Sequence, residues 1–261
     1  VGPCTADCRG VSNSVIRAPL RRFLALDART GILLLVAFGL VRVTLVLHAN
    51  VTGSYQLVSM VFVAMAVLPW AVLTRAGRRK IGIVRPSRWR WMLPAAVAGV
   101  TALLTVYAAA TALWGRTIQN PFAYIARTYS AVPDSPSDMD RLTFFLIYAG
   151  IGMLVSPIGE ELLYRGIAHE SLASRLGNRG AAVVDAGAFA LTHLAHFGVV
   201  YIAGAWTFLL MPALLWVVAM FLSSLLFYTF RALTGSILGA IVAHAAFNLA
   251  MTFVIFYGLL A

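Results

Sequence analysis

Glutamate is nearly missing from this sequence. Only Glu160, Glu161 and Glu170 occur among 261 residues, and charged residues of all kinds make up 11%. A soluble globular domain carries about 25%, so a domain surrounded by water on all sides is excluded. Lysine is scarcer still: Lys80 stands alone, and the other nineteen basic residues are arginine, a bias that fits a GC-rich bacterial genome. The two cysteines, Cys4 and Cys8, share a polar leading segment with no nearby histidine. They give no metal signal of any strength and are read as free thiols. There is no internal repeat, no low-complexity tract, no His-Glu-x-x-His helix and no convincing nucleophile elbow. No cleavable leader is expected, because the first long apolar run begins near residue 31 without a clear small-residue cleavage site.

What is abundant is apolar sequence, 61% of the chain. Runs at 31–48, 55–74, 91–114, 142–168, 185–204, 207–230 and 236–258 each approach the ~20 residues that span hydrocarbon. The expected fold class is all-α, a polytopic transmembrane helix bundle of seven to eight spans. Residues 1–30 read as a cytoplasmic segment ahead of a membrane domain at 31–261. Within that segment Arg17, Arg21, Arg22 and Arg29 alternate with Ile16, Leu20, Phe23 and Leu24, the pattern of a basic amphipathic helix on the inner surface.

The net charge of +11 does not point to nucleic acid, because the arginines fall at the ends of apolar runs. Arg75, Arg78, Arg79, Lys80, Arg85, Arg88 and Arg90 crowd one loop without an acid, Arg175, Arg179 and Arg231 mark further turns, and the loop 49–54 is uncharged. The positive-inside rule then predicts a multi-pass protein of the cell membrane with its N-terminus in the cytoplasm. Its partners are the lipid bilayer and a peptide or membrane-protein substrate.

A charge at mid-bilayer costs ~2.5–3.5 kcal/mol on insertion scales, so ionisable residues inside the runs need a reason. Glu160 and Glu161 lie in Ser156-Pro157-Ile158-Gly159-Glu160-Glu161-Leu162-Leu163-Tyr164-Arg165. Adjacent helical residues point ~100° apart, so the two carboxylates cannot do the same job. Glu161 can pair with Arg165 at i, i+4, whereas Glu160 has no cationic partner in its own helix. Pro157 and Gly159 place a kink just before them. His193 and the pair His244 and Asn248, again i, i+4, lie in other apolar runs. With the inner interface set at His169, Asp185 and Ser236, Glu160, His193 and His244 all fall ~12–14 Å deep, so convergence is feasible. A carboxylate in an apolar pocket can act as general base toward water. A histidine can share that work or bind metal, and an asparagine amide can stabilise an oxyanion. Together these suit amide hydrolysis.

Glu160-Glu161-x-x-x-Arg165, Phe189-x-x-x-His193 and His244-x-x-x-Asn248, in that order within apolar runs, resemble the motifs of the CPBP family. These are the CAAX proteases and bacteriocin-processing enzymes, also called type II CAAX prenyl endopeptidases or the Abi family. The resemblance covers about 140–250 and implies a bundle of about eight membrane helices with a cavity facing the cytoplasm. It implies Glu160 as the water-activating carboxylate, helped by His193, with His244 and Asn248 in the oxyanion role and Glu161 and Arg165 in support. In a bacterial host the substrate is expected to be a peptide or membrane protein rather than a prenylated one.

Metal use stays open at this point: Glu160, His193 and His244 are a plausible zinc set, but water activation by glutamate and histidine needs no cofactor. His196 shares a face with His193 and reads as a pore-lining or helix-end residue, with an extra-ligand role as the alternative. Asp185 reads as an N-cap, His48 and His169 as interface residues, and Arg42 as a cation paired inside the bundle, snorkelling, or touching substrate. Two non-enzymatic readings compete. One is a scaffold or immunity protein on the same fold; the other is a proton-relaying transporter, which would be expected to show paired repeats. The orientation has a direct test: a cysteine placed at Arg79 should resist an impermeant thiol reagent applied outside, and ready labelling there would invert the topology.

Overall fold

The computed structural model describes residues 15–133 and 135–260. Cys4, Cys8 and the start of the expected amphipathic helix lie outside them. The chain is a helical membrane bundle: among the described residues five helices are long and apolar enough to cross a bilayer, and a shorter apolar one accompanies them. In chain order the described α-helices are α1 (Ala28–Thr52), α2 (Gln56–Val72), the short α3 (Arg75–Lys80), α4 (Met92–Trp114), the short α5 (Pro121–Arg127), α6 (Asp138–Gly150), α7 (Ser156–Glu161), α8 (His169–Thr192), α9 (Leu210–Thr234) and α10 (Ile237–Val254).

Helix starts follow local chemistry. Asp27, Thr74, Asn120, Ser137 and Ser236 each accept a backbone N–H with their side chains, which satisfies donors the first turn leaves free. Ser137 and Asp140 complete a capping box. From Asp138 to Ala195 helix runs for 58 residues, but not straight. His169 meets Asp185 at 2.8 Å and the Tyr164 hydroxyl meets Thr192 at 3.4 Å. In a straight helix residues 16 apart would be ~24 Å apart. The reversal is at Gly177, whose φ of 67° and ψ of 170° break the helix in a region that glycine enters without a Cβ clash.

Asp185 is therefore not an N-cap. It lies inside the returning arm and, like its partner His169, is fully buried, so His169 is no interface residue either. The run at 185–204 is also not one span. Helix ends at Thr192, a 3₁₀ turn covers His193–Ala195, and β1 (Val199–Ile202) pairs antiparallel with β2 (Ala205–Phe208). Val199, Val200, Tyr201 and Ile202 favour a strand as readily as an apolar span. A left-handed Gly204 closes the turn.

At one end of the bundle, rich in arginine, Ile237 N–H donates to Gly82 O at 2.9 Å and Ser87 N–H to Thr234 O at 3.0 Å, while Lys80 and Arg231 each lie 3.7 Å from Glu170. Val15, Ile16 and Leu26 fill this end against Leu73, Ile81 and Ile167. The described part of the leading segment holds one 3₁₀ turn, Ala18–Leu20, and an antiparallel bridge from Ile16 to Leu73, in place of the expected amphipathic helix. At the other end Ser130 caps Gly53 O and the Tyr124 hydroxyl accepts from Tyr201 N–H.

Two close backbone contacts set the helix spacing. A Cβ on Gly159 would collide with the backbone of Phe62 in α2, and one on Gly99 with the backbone of Ala243 in α10. Gly99→Val should therefore destabilise by about 1–3 kcal/mol, the usual range for overpacking. Gly187→Ala, where a Cβ meets nothing within 4 Å, should be silent in the same thermal unfolding measurement.

Candidate active site

Glu160 and Glu161 are held between two π-helical turns, Ile151–Val155 and Leu162–Ala168. Pro157 has no N–H to continue the ladder, and the wider preceding turn accommodates it. Such turns often mark functional sites. The expected kink is thus an expansion of the helix on both sides of the carboxylates.

The two carboxylates are both buried, at 1% and 0% exposure, and diverge as their helical spacing requires. Glu161 faces inward. Its Oε1 lies 3.2 Å from an Arg165 guanidinium nitrogen and 2.8 Å from His244 Nδ1. Arg165, also 0% exposed, donates to Ser224 Oγ and lies over the rings of Phe189 and Phe227 at 4.4 and 5.7 Å. His244 stacks on Phe227 at 4.6 Å with 12° between planes.

Glu160 accepts from Ser156 Oγ at 2.8 Å, and its Oε2 lies 3.7 Å from His244 Nε2. It finds the cation its own helix lacks in Arg42 of α1, paired directly to its Oε1. The same guanidinium reaches Thr192 Oγ1 at 3.2 Å, His193 Nε2 at 3.2 Å and His196 Nε2 at 3.3 Å. His193 Nδ1 lies 2.7 Å from Phe189 O, and Trp216 Nε1 donates to His193 O at 3.1 Å. A carbonyl only accepts, so the Nδ1 proton points there and Nε2 offers its lone pair to Arg42.

The structure therefore brings together Glu160, Glu161, Arg165, His193 and His244. Asn248 stands one turn beyond His244, its Nδ2 donating to Gly152 O at 2.9 Å. Of the alternatives for Arg42, pairing inside the bundle is what is observed. His196 borders the site through that arginine. Thr192, Ser156 and Ser224 carried no signal in the sequence beyond being polar in apolar runs. Toward the arginine-rich end residues 161–169 are all buried. Ser156, His193, His196 and Asn248 are the part-exposed members.

A zinc ion does not fit this arrangement. Among the described residues no three His, Cys, Asp or Glu side chains gather in a way that could hold a metal. The His193 lone pair that a metal would need faces the Arg42 guanidinium.

An integral membrane helix bundle with an ion-paired, histidine-bearing centre between its helices is the class that fold and site define. Residues 142–250 match the model of the family described as type II CAAX prenyl endopeptidase Rce1-like. Over those residues the chain is similar to the CPBP intramembrane proteases. No curated protein and no solved structure matches the chain.

Removing one partner of a buried ion pair typically costs about 3–5 kcal/mol because the other charge is stranded. Glu161→Gln should therefore lower the unfolding temperature sharply, and Glu161→Gln with Arg165→Gln should recover much of the loss. Equal destabilisation of single and double variants would show that the charges are not coupled.

Proposed function

We propose that this chain is an endopeptidase that cleaves a peptide bond of a membrane-associated peptide or protein by water that Glu160 activates. The observation that carries the reading is the divergent pair of buried carboxylates. Glu161 is committed to Arg165 and His244, while Glu160 keeps Oε2 beside Ser156 and His244 Nε2.

A water hydrogen-bonded to Glu160 Oε2 gives it a proton as the water oxygen adds to the scissile carbonyl. The carbonyl π pair moves to oxygen, and preorganised donors stabilise the oxyanion. Asn248 has a second amide N–H beyond the one given to Gly152 O and is the candidate for this task. The C–N bond then breaks, and the proton held by Glu160 passes to the departing amine. With its Nδ1 proton shared with Glu161, His244 directs the Nε2 lone pair at Glu160. It can hold the proton in transit because the imidazolium would face a carboxylate on each side. Tight helical packing is consistent with a non-catalytic scaffold as well, but a scaffold has no use for a carboxylate aimed away from its structural partner.

The test is a proteomic comparison of membranes holding the parent chain or Glu160→Ala. A defined set of fragments should appear only with the parent, and should still appear when the parent acts in the presence of a strong chelator. Identical fragment sets with parent and variant would contradict the peptidase reading. Stoichiometric zinc, lost with activity on chelation and restored with it, would contradict the metal-free mechanism.

A further inference from the structure

We infer that Arg42 is a positioning residue of the reaction, supplied to the site from outside the segment that matches the family. The inference rests on the peptidase reading above. Arg42 lies in α1, a hundred residues before the matched region begins. It is 2% exposed, and four polar side chains converge on its two terminal nitrogens. One nitrogen serves Glu160 and Thr192; the other serves His193 and His196. A guanidinium has five N–H donors in a rigid planar fork; here its terminal nitrogens hydrogen-bond three side chains and ion-pair with a fourth.

This geometry does three things. It holds Glu160 Oε1, which leaves Oε2 as the oxygen free to take a proton. It fixes the His193 ring between Phe189 O at Nδ1 and the guanidinium at Nε2, so that ring cannot turn a nitrogen toward substrate or metal. It also ties α1 to the end of α8 through Arg42 and Thr192, residues 150 apart in sequence. His193 is thereby an acceptor that orients the arginine beside Glu160.

Lysine cannot replace such a fork, because one ammonium cannot reach four acceptors in a plane. Arg42→Lys and Arg42→Gln should therefore lower kcat on the order of 10²-fold, the scale of a misplaced catalytic group, with KM changed less than about threefold because binding energy lost equally from ground and transition states is not at issue. Methylguanidinium should restore part of the activity of Arg42→Ala and none to Glu160→Ala. Parental kcat in Arg42→Lys, with the protein folded, would overturn the assignment. Should the Arg42 variants not fold, His196→Asn decides: a several-fold lower kcat at unchanged KM supports the role, and parental kcat overturns it. An arm independent of activity keeps the two claims separate. Imidazole ¹⁵N spectra of the parent should show His193 protonated at Nδ1 with a hydrogen-bonded Nε2, and that hydrogen-bond signature should vanish in Arg42→Gln or, if that variant does not fold, weaken in Thr192→Val. Unchanged spectra would overturn the positioning role, whereas a parent that cleaves nothing would sink the peptidase reading while leaving the spectra to judge Arg42.

Discussion

Two carboxylates lie deep inside an apolar bundle, and each meets a guanidinium: Glu160 meets Arg42, and Glu161 meets Arg165. Taking such charges out of water costs several kcal/mol per ion even after relaxation, and only close opposite charge with well-aimed hydrogen bonds offsets it. The formal charges of the four groups cancel. Much of the surrounding structure follows from that requirement. Gly159 lets α7 approach the backbone of α2 and brings Glu160 toward α1. Phe189 and Phe227 flank Arg165, and Ser224 Oγ accepts a hydrogen bond from it. His244 sits between the two carboxylates and contacts both.

Such a cluster divides labour by geometry. Glu161 is tied through Oε1 to both Arg165 and His244, so its replacement is chiefly a stability event. Glu160 is held at one oxygen and available at the other, which is what a general base needs. The π-helical turns on either side permit this, since a regular helix carrying Pro157 could not continue its hydrogen bonds without adjustment. The hairpin at Gly177 then returns α8 so that Thr192 and His193 stand beside Glu160 and Arg42.

Much of this was legible in the sequence. Composition and run lengths set the fold class, and the rarity of polar and ionisable side chains in apolar runs singled out Glu160, Glu161, His193, His244 and Asn248. Arg42 was visible as an anomaly, but its role depends on contacts with residues more than a hundred positions away, which local pattern does not encode. Asp185 was misplaced because polarity at the edge of an apolar run looks like a cap. Its partner His169 lies across a reversal that only the positive φ at Gly177 reveals. The strands at 199–208 were hidden because a short β-branched run and the end of a membrane span have the same hydropathy. The Glu160–Arg42 pair also changes an expectation about mutation. Removing the negative charge from Glu160 by itself should make insertion cheaper, yet here it would strand Arg42 in a low-dielectric site.

The most direct test therefore keeps the buried charge balanced. Purified Glu160→Gln with Arg42→Gln should unfold closer to the parent temperature than Glu160→Gln alone, because no ion is left unpaired. It should also fail to cleave a native substrate, because the proton acceptor is gone. Cleavage by the double variant at the parental rate would contradict the account, since hydrolysis would then proceed without the carboxylate and guanidinium on which it depends.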